Sequence, residues 1–166
     1  MLKKILCAAG VMLLMAFSNV QAAELDAAAV AGIKAGAKRG DARNQYLLAA
    51  CYDFADCKGI PHDYAKARQL YEKAAAQGLA ESYFNLGIMY AYGKGVRRDY
   101  AKARKLYEKA AVQGVAPAQY NLGLMYYNGQ GGPQNRRTAK KWFGKACDNR
   151  DPAGCDKYRK LKKAGF

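Results

Sequence analysis

Four of the five cysteines, together with the single histidine, are the residues of this sequence with the clearest capacity for chemistry. Cys51 and Cys57 lie six positions apart, and Cys147 and Cys155 lie eight apart. With His62, the first pair offers three candidate zinc ligands, one fewer than a closed structural site requires. In an exported chain, an even number of cysteines predicts two disulfides. We therefore expect disulfides at these positions, with no bound metal and no cofactor.

Other side chains that enzymes use for covalent or acid–base chemistry are scarce. Beyond the N-terminal segment the only serine is Ser82, and Asn85 lies three positions later, so no Ser-x-x-Lys motif is present. A single histidine leaves few ways to activate a nucleophile. Glu72 and Glu108 recur at equivalent positions of a repeat, which is typical of a solvated surface. The sequence therefore assigns no catalytic residue and favours a binding protein over an enzyme.

The first 22 residues have the layout of a secretory signal peptide. Lys3 and Lys4 precede an apolar run from Ile5 to Phe17, and small residues follow at Val20-Gln21-Ala22. The apolar run has 13 residues, whereas crossing a bilayer takes about 20. We expect cleavage after Ala22, loss of Cys7 with the signal, no transmembrane anchor, and a periplasmic or secreted location in a bacterium.

Basic side chains outnumber acidic ones, and the excess is concentrated in the second half of the chain. The sequence has 28 Lys and Arg against 13 Asp and Glu, and residues 79–166 hold eighteen of the basic residues and six of the acidic ones. A basic patch is predicted at Lys94, Arg97, Arg98, Arg136, Arg137, Lys140 and Lys141. Such a patch attracts an acidic protein, a cell-wall polymer or an anionic lipid surface, with nucleic acid disfavoured. The alternative is a solvated face without a specific partner.

A repeat of 36 residues organises the rest of the sequence. Residues 63–68 and 70–75 recur as residues 99–104 and 106–111, and Asn85-Leu86-Gly87 recurs as Asn121-Leu122-Gly123. An earlier copy begins at Gly40, offset by 38 positions because two extra residues enter between Tyr52 and Asp63. Apolar residues within each copy follow steps of three and four, so each copy is predicted to be two antiparallel helices.

The residue types at the predicted helix ends support this division. Asp63, Asp99 and Asn135 are expected N-caps of the second helices, and glycines 40, 78 and 114 are expected to end helices. A unit of two helices cannot bury its own apolar face, so the units must stack. The sequence predicts an all-α solenoid with a capping helix within 23–39, helix-pair repeats at 40–78, 79–114 and 115–150, and a second capping helix within 151–166.

The recurring string Ala-x-x-x-Tyr-x-Leu-Gly-x-x-Tyr-x-x-Gly-x-Gly, followed by Asp-Tyr-x-Lys-Ala, resembles the Sel-one-like repeat (SLR) family, relatives of the tetratricopeptide repeats. The resemblance covers roughly residues 40–160 and is clearest in residues 78–114. It implies a right-handed superhelix whose concave groove holds proteins or peptides.

The segment from Lys145 to Cys155 is similar to the cysteine-rich branch of that family, in which a cysteine ending one repeat bonds to a cysteine eight positions later. This resemblance implies a Cys147–Cys155 disulfide. Cys51 and Cys57 do not match the branch's spacing, so whether they pair with each other stays open. Some members of the branch are described as binding penicillins or hydrolysing β-lactams weakly, which gives an enzymatic alternative.

The face of each first helix that lies opposite its core-facing stripe is the expected lining of the groove. Four residues per repeat fall there: Arg43, Leu47, Ala50 and Phe54; Glu81, Asn85, Ile88 and Tyr92; Pro117, Asn121, Leu124 and Asn128. The expected binding residues, here called the groove residues, are Leu47, Phe54, Asn85, Ile88, Tyr92, Asn121, Leu124 and Asn128. Amides flanked by apolar side chains suit an extended peptide. In the alternative, Asn85 and Asn121 hold adjacent helices together and the apolar members pack between repeats.

Overall fold

The computed structural model describes residues 27–55, 57 and 59–166 of the chain. That part contains eight α-helices and no strand, which confirms the predicted all-α repeat solenoid. In chain order the helices are α1 (Ala27–Lys38), α2 (Ala42–Phe54), α3 (Tyr64–Ala76), α4 (Ala80–Tyr92), α5 (Tyr100–Val112), α6 (Ala116–Asn128), α7 (Arg136–Asp148) and α8 (Pro152–Lys163). The expected signal peptide, residues 1–22, lies outside the described residues. No described helix has both the length and the hydropathy needed to span a membrane.

The second helix of each pair begins at a polar N-cap. The side chains of Asp63, Asp99 and Asn135 accept a hydrogen bond from the backbone N–H three residues later, at 3.0, 2.9 and 2.9 Å. Each bond satisfies one of the backbone donors that a helix leaves unpaired at its start. The N-caps that the sequence predicts for α3, α5 and α7 are therefore present.

Left-handed residues end the helices that precede α4, α6 and α8. Gly78 and Gly114 both have a φ of +88°, and Arg150 takes a φ of +64° at the equivalent position of the repeat. Glycine adopts this conformation without a steric penalty, which is why it recurs here. Arg150 shows that the chain makes the same turn before α8, although glycine is absent.

Two glycines allow the helices of a pair to touch. A Cβ atom added to Gly87 of α4 would lie 2.6 Å from the ring of Tyr107 in α5, and one added to Gly123 of α6 would lie 2.7 Å from the ring of Phe143 in α7. Both rings are buried, so neither can move aside freely. The solenoid core is thus built from aromatic side chains seated against glycine and from fully buried alanines such as Ala110.

One disulfide lies near each end of the repeat array. Cys51 in α2 bonds to Cys57 in the following loop, with their Cα atoms 5.2 Å apart. Cys147 in α7 bonds to Cys155 in α8, with a Cα separation of 4.4 Å. The second bridge is the one that the family resemblance implies, and the first pairs the two cysteines whose partnership the sequence leaves open.

Candidate binding groove

The first helices of neighbouring pairs present equivalent residues side by side. Arg43 of α2 and Glu81 of α4 occupy the same position in successive repeats. Their side chains form an ion pair, with 3.1 Å between Arg43 Nη1 and Glu81 Oε1. The contact shows that the predicted groove faces of α2 and α4 lie next to each other.

A small cleft of about 90 Å³ lies on the same face of the next junction, between α4 and α6. Three of the predicted groove residues, Tyr92, Asn121 and Leu124, line it. The complete lining is Ala91, Tyr92, Tyr100, Tyr107, Asn121, Leu124, Met125 and Gln130. Tyr92 is 75% exposed, which leaves its ring free to contact a ligand. The cleft therefore combines an accessible aromatic ring, an amide and apolar side chains.

The buried hydroxyl of Tyr107 and the half-buried amide of Asn121 are polar groups in the lining of this cleft. Burial raises the pKa of the Tyr107 hydroxyl, the neighbouring Tyr92 raises it further, and a hydrogen bond from the Asn121 side chain acts in the opposite direction. The hydroxyl therefore stays protonated at physiological pH. The cleft offers a neutral hydroxyl and an amide beside apolar side chains, a combination that can orient a ligand.

The equivalent junction between α2 and α4 is filled by an ion pair. In the repeat, Asp53 stands at the position of Ala91, and Lys94 stands at the position of Gln130. Lys94 Nζ lies 3.7 Å from Oδ1 of the buried Asp53 and 5.6 Å from the centre of the Phe54 ring. Burial raises the pKa of Asp53, and the Lys94 ammonium partly opposes that effect. The open cleft thus occurs where alanine and glutamine replace this pair.

The structure differs from the sequence analysis at Asn85. This side chain was expected in the groove, but it is only 2% exposed and lies against the buried tyrosines of the first junction. Its amide acts on the hydroxyls of both Tyr46 and Tyr71, lowering pKa values that burial raises. Asn85 therefore joins adjacent helices, as in the alternative interpretation, and Asn121 is the accessible member of the equivalent pair.

The remaining groove residues differ in exposure. Leu47, Phe54, Ile88 and Leu124 are half-buried, while Asn128 is exposed. Sequence reasoning missed five residues of the cleft, namely Ala91, Tyr100, Tyr107, Met125 and Gln130. The signal for two of them was present, since aligning the repeats opposes Asp53 to Ala91 and Lys94 to Gln130.

The predicted basic patch does not form one uniform surface. Lys94 is engaged by Asp53, and Lys140 Nζ donates a hydrogen bond to the Phe166 carbonyl oxygen. The Arg136 guanidinium lies over the Tyr127 ring at 5.5 Å. Arg98 is exposed, but its guanidinium lies 5.2 Å from the centre of the Tyr100 ring. Part of the expected patch therefore makes contacts within the chain, and the exposed side chains of Arg97, Arg137 and Lys141 are available to an anionic partner.

The residues considered for catalysis or metal binding are placed unfavourably. Ser82 is completely buried, and its hydroxyl has no hydrogen-bond partner. His62 packs edge-on against Tyr64, with ring centres 4.0 Å apart. Cys51 and Cys57 are joined in a disulfide. Residues 27–55, 57 and 59–166 contain no group of three or more His, Cys, Asp or Glu side chains placed to hold a metal ion.

Comparison with protein families identifies three repeats. The model of the Sel1 repeat matches residues 45–79, 80–115 and 116–151. Over 60 residues, the chain is 42% identical to the uncharacterized protein NMB1327 of Neisseria meningitidis serogroup B. That match covers 36% of this chain and 12% of the relative, so the chain spans a small part of that protein's length.

Solved structures with the same fold include three repeat proteins. A Sel1 repeat protein from Oxalobacter formigenes is 32% identical, with a TM-score of 0.71, over 79% of this chain and 97% of that one. A protective antigen of uropathogenic Escherichia coli that displays an SLR fold is also 32% identical, with a TM-score of 0.78, over 83% of this chain and 29% of that one.

The third structure, cysteine rich protein B of Helicobacter pylori, is 24% identical with a TM-score of 0.60, over 76% of this chain and 95% of that one. At this identity the likeness concerns the fold. The two disulfides of this chain and the cysteine-rich neighbour are consistent with a location outside the cytoplasm.

Proposed function

Because the chain belongs to the Sel1 repeat family, whose repeats generally mediate protein interactions, we propose that it is an exported scaffold that binds an extended peptide segment of a partner. The binding site is the cleft between α4 and α6. The layout of residues 1–22 supports export, and the disulfides are in keeping with an oxidising compartment.

The observation that carries this proposal is the difference between the two junctions. The ion pair of half-buried Lys94 with buried Asp53 occupies the first junction, whereas the second holds Ala91 and Gln130 beside the exposed ring of Tyr92. Tyrosine supplies a large contact area at low entropic cost, and the amide of Asn121 matches the donors and acceptors of a peptide backbone. A peptide side chain can therefore enter the second junction, whereas Asp53 and Lys94 occupy the equivalent positions of the first.

The test introduces residues of the first junction at the equivalent positions of the second. Ala91→Asp/Gln130→Lys introduces the residues that fill the equivalent junction and leaves the net charge unchanged. Short peptides selected on the wild-type chain from a random phage-displayed library serve as probes, and fluorescence anisotropy measures their affinity. We expect the double variant to bind at least about tenfold more weakly, since a filled pocket excludes the anchoring side chain.

A control variant, Val112→Ala, truncates the exposed side chain at the end of α5, which does not line the cleft. It should bind the selected peptides like the wild type. Undiminished binding by Ala91→Asp/Gln130→Lys, with an unchanged circular dichroism spectrum, would contradict the cleft as the binding site.

A second candidate ligand is an anionic envelope component, such as a cell-wall polymer or a lipid surface. The observation that favours it is the excess of basic residues in 79–166, with Arg97, Arg98, Arg137 and Lys141 exposed. Attraction of this kind weakens steeply with ionic strength. Binding of anionic vesicles that persists at high salt would contradict an electrostatic origin.

A further inference from the structure

The last helix, α8, continues the register of the first helices. Gly154 and Leu161 occupy the repeat positions of Ala118 and Met125, and all four residues are buried. A Cβ atom on Gly154 would lie 2.7 Å from Cβ of Ala146 in α7. α8 therefore packs on α7 in the way that α6 packs on α5. Residues of α8 that stand at the repeat positions of groove residues in α6 consequently lie on the groove face.

Two lysines of α8 consequently occupy groove positions. Lys157 stands at the repeat position of Asn121, and Lys160 stands at that of Leu124. Lys160 is exposed and Lys157 is half-buried, with its ammonium 6.0 Å from the centre of the Tyr127 ring in α6. The groove positions across the stacked first helices thus begin with half-buried Leu47 in α2 and end with two cationic side chains in α8.

The charge of these lysines is uncompensated. Among the described residues, neither Lys157 nor Lys160 forms an ion pair, whereas the acidic residue of α8, Asp156, is bonded to Arg159. At the other end of the row, Arg43 is neutralised by Glu81. The groove therefore changes along its length from apolar and neutral at α2 to basic at α8.

From this arrangement we infer that the groove selects a peptide with an acidic segment and places that segment at α8, an inference that rests on the function proposed above. The peptide's apolar segment lies in the cleft between α4 and α6, and its carboxylates lie along α8. Packed helices are about 10 Å apart, and an extended chain advances about 3.3 Å per residue. The cleft lies about half of this helix spacing before α6, so α8 is about 15 Å away and the carboxylates should lie about four to five residues from the apolar anchor.

The test uses two synthetic peptides and two charge-matched variants. One peptide carries two glutamates about four to five residues from a Leu-Tyr pair, and the other has glutamines in their place. Lys157→Gln/Lys160→Gln removes the groove lysines. Lys73→Gln/Lys105→Gln removes an equal charge from two exposed lysines of α3 and α5 that belong neither to the groove nor to the basic patch. Fluorescence anisotropy at low ionic strength measures all affinities.

Wild type should prefer the glutamate peptide by about fivefold, the size expected of two partly exposed ion pairs. Lys157→Gln/Lys160→Gln should lose that preference, and Lys73→Gln/Lys105→Gln should keep it. Equal loss in both variants would overturn the inference in favour of general attraction by net charge. Binding of both peptides with equal affinity would also overturn it while leaving the proposed function intact. Failure of wild type to bind either peptide, in contrast, would contradict the peptide-binding function itself.

Discussion

At the scale of single residues, one exchange between repeats decides where the groove is open. Asp53 and Ala91 occupy equivalent positions, and only the carboxylate can bond to Lys94 and approach the Tyr71 hydroxyl, which lies 3.5 Å away. One of its oxygens is buried without a hydrogen bond. Asp53 therefore closes its junction at an electrostatic cost that Ala91 does not carry.

Asp53 makes the stability of the fold depend on pH. Because burial raises its pKa above the usual 3.8, the folded chain binds more protons than the unfolded chain in the pH range just above that value. The free energy of unfolding contributed by this residue therefore falls as the pH rises through that range. The lowered pKa values of Asp41 and Asp63 act below 3.8, where they reduce stability as the pH falls.

Asp53→Asn removes the titrating group and keeps the shape of the side chain. Urea unfolding at about pH 4 and about pH 7 should show the variant gaining stability relative to wild type at the higher pH. The gain is moderate because Lys94 already offsets part of the cost. A constant difference between the two proteins at both pH values would contradict the assigned burial effect.

At the scale of secondary structure elements, the helix pairs depend on close contact at two glycines. The rings of Tyr107 and Phe143 take the space that a side chain on Gly87 or Gly123 would need. The same residues recur at a spacing of 36, so the contact is a property of the repeat.

Gly87→Ala and Gly123→Ala should each lower the free energy of unfolding by about 1–3 kcal/mol, because an extra methyl group must displace a buried ring. Gly32→Ala in α1 is the matched control, since a Cβ there would meet no atom within 4 Å. That control should raise stability by about 0.5–1 kcal/mol through helix propensity. Chemical denaturation measures all three, and equal effects at Gly32 and Gly87 would contradict the packing model.

The helices and their caps were largely predictable, because they depend on local chemistry that recurs at a fixed spacing. Asp99 caps α5 as expected, and Gly114 takes the expected left-handed conformation. The burial of Asn85 was not predictable from a helical projection, which gives a direction but not what covers it. The pairing of Lys94 with Asp53 joins residues 41 positions apart, and no local pattern in the sequence signals it.

At the scale of the whole molecule, equivalent helices stack side by side, so differences between repeats make the charge of the groove surface change from one end to the other. Each helix pair contributes one set of groove residues, and α8 adds a last set that includes Lys157 and Lys160. The excess positive charge of residues 79–166 is therefore presented in part at one end of the groove. An acidic partner approaching this surface is attracted before it makes contact, which increases the rate of association.

The central claim is that a peptide binds along α4, α6 and α8 on the groove face. Titration of the isotopically labelled chain with the glutamate-containing peptide, followed by amide chemical shifts, tests it most directly. We predict that the largest changes fall at Tyr92, Asn121 and Leu124 and continue to Lys157 and Lys160. Changes confined to the side of α5 and α7 that carries Lys105 and Lys141, with the cleft residues unaffected, would contradict the account.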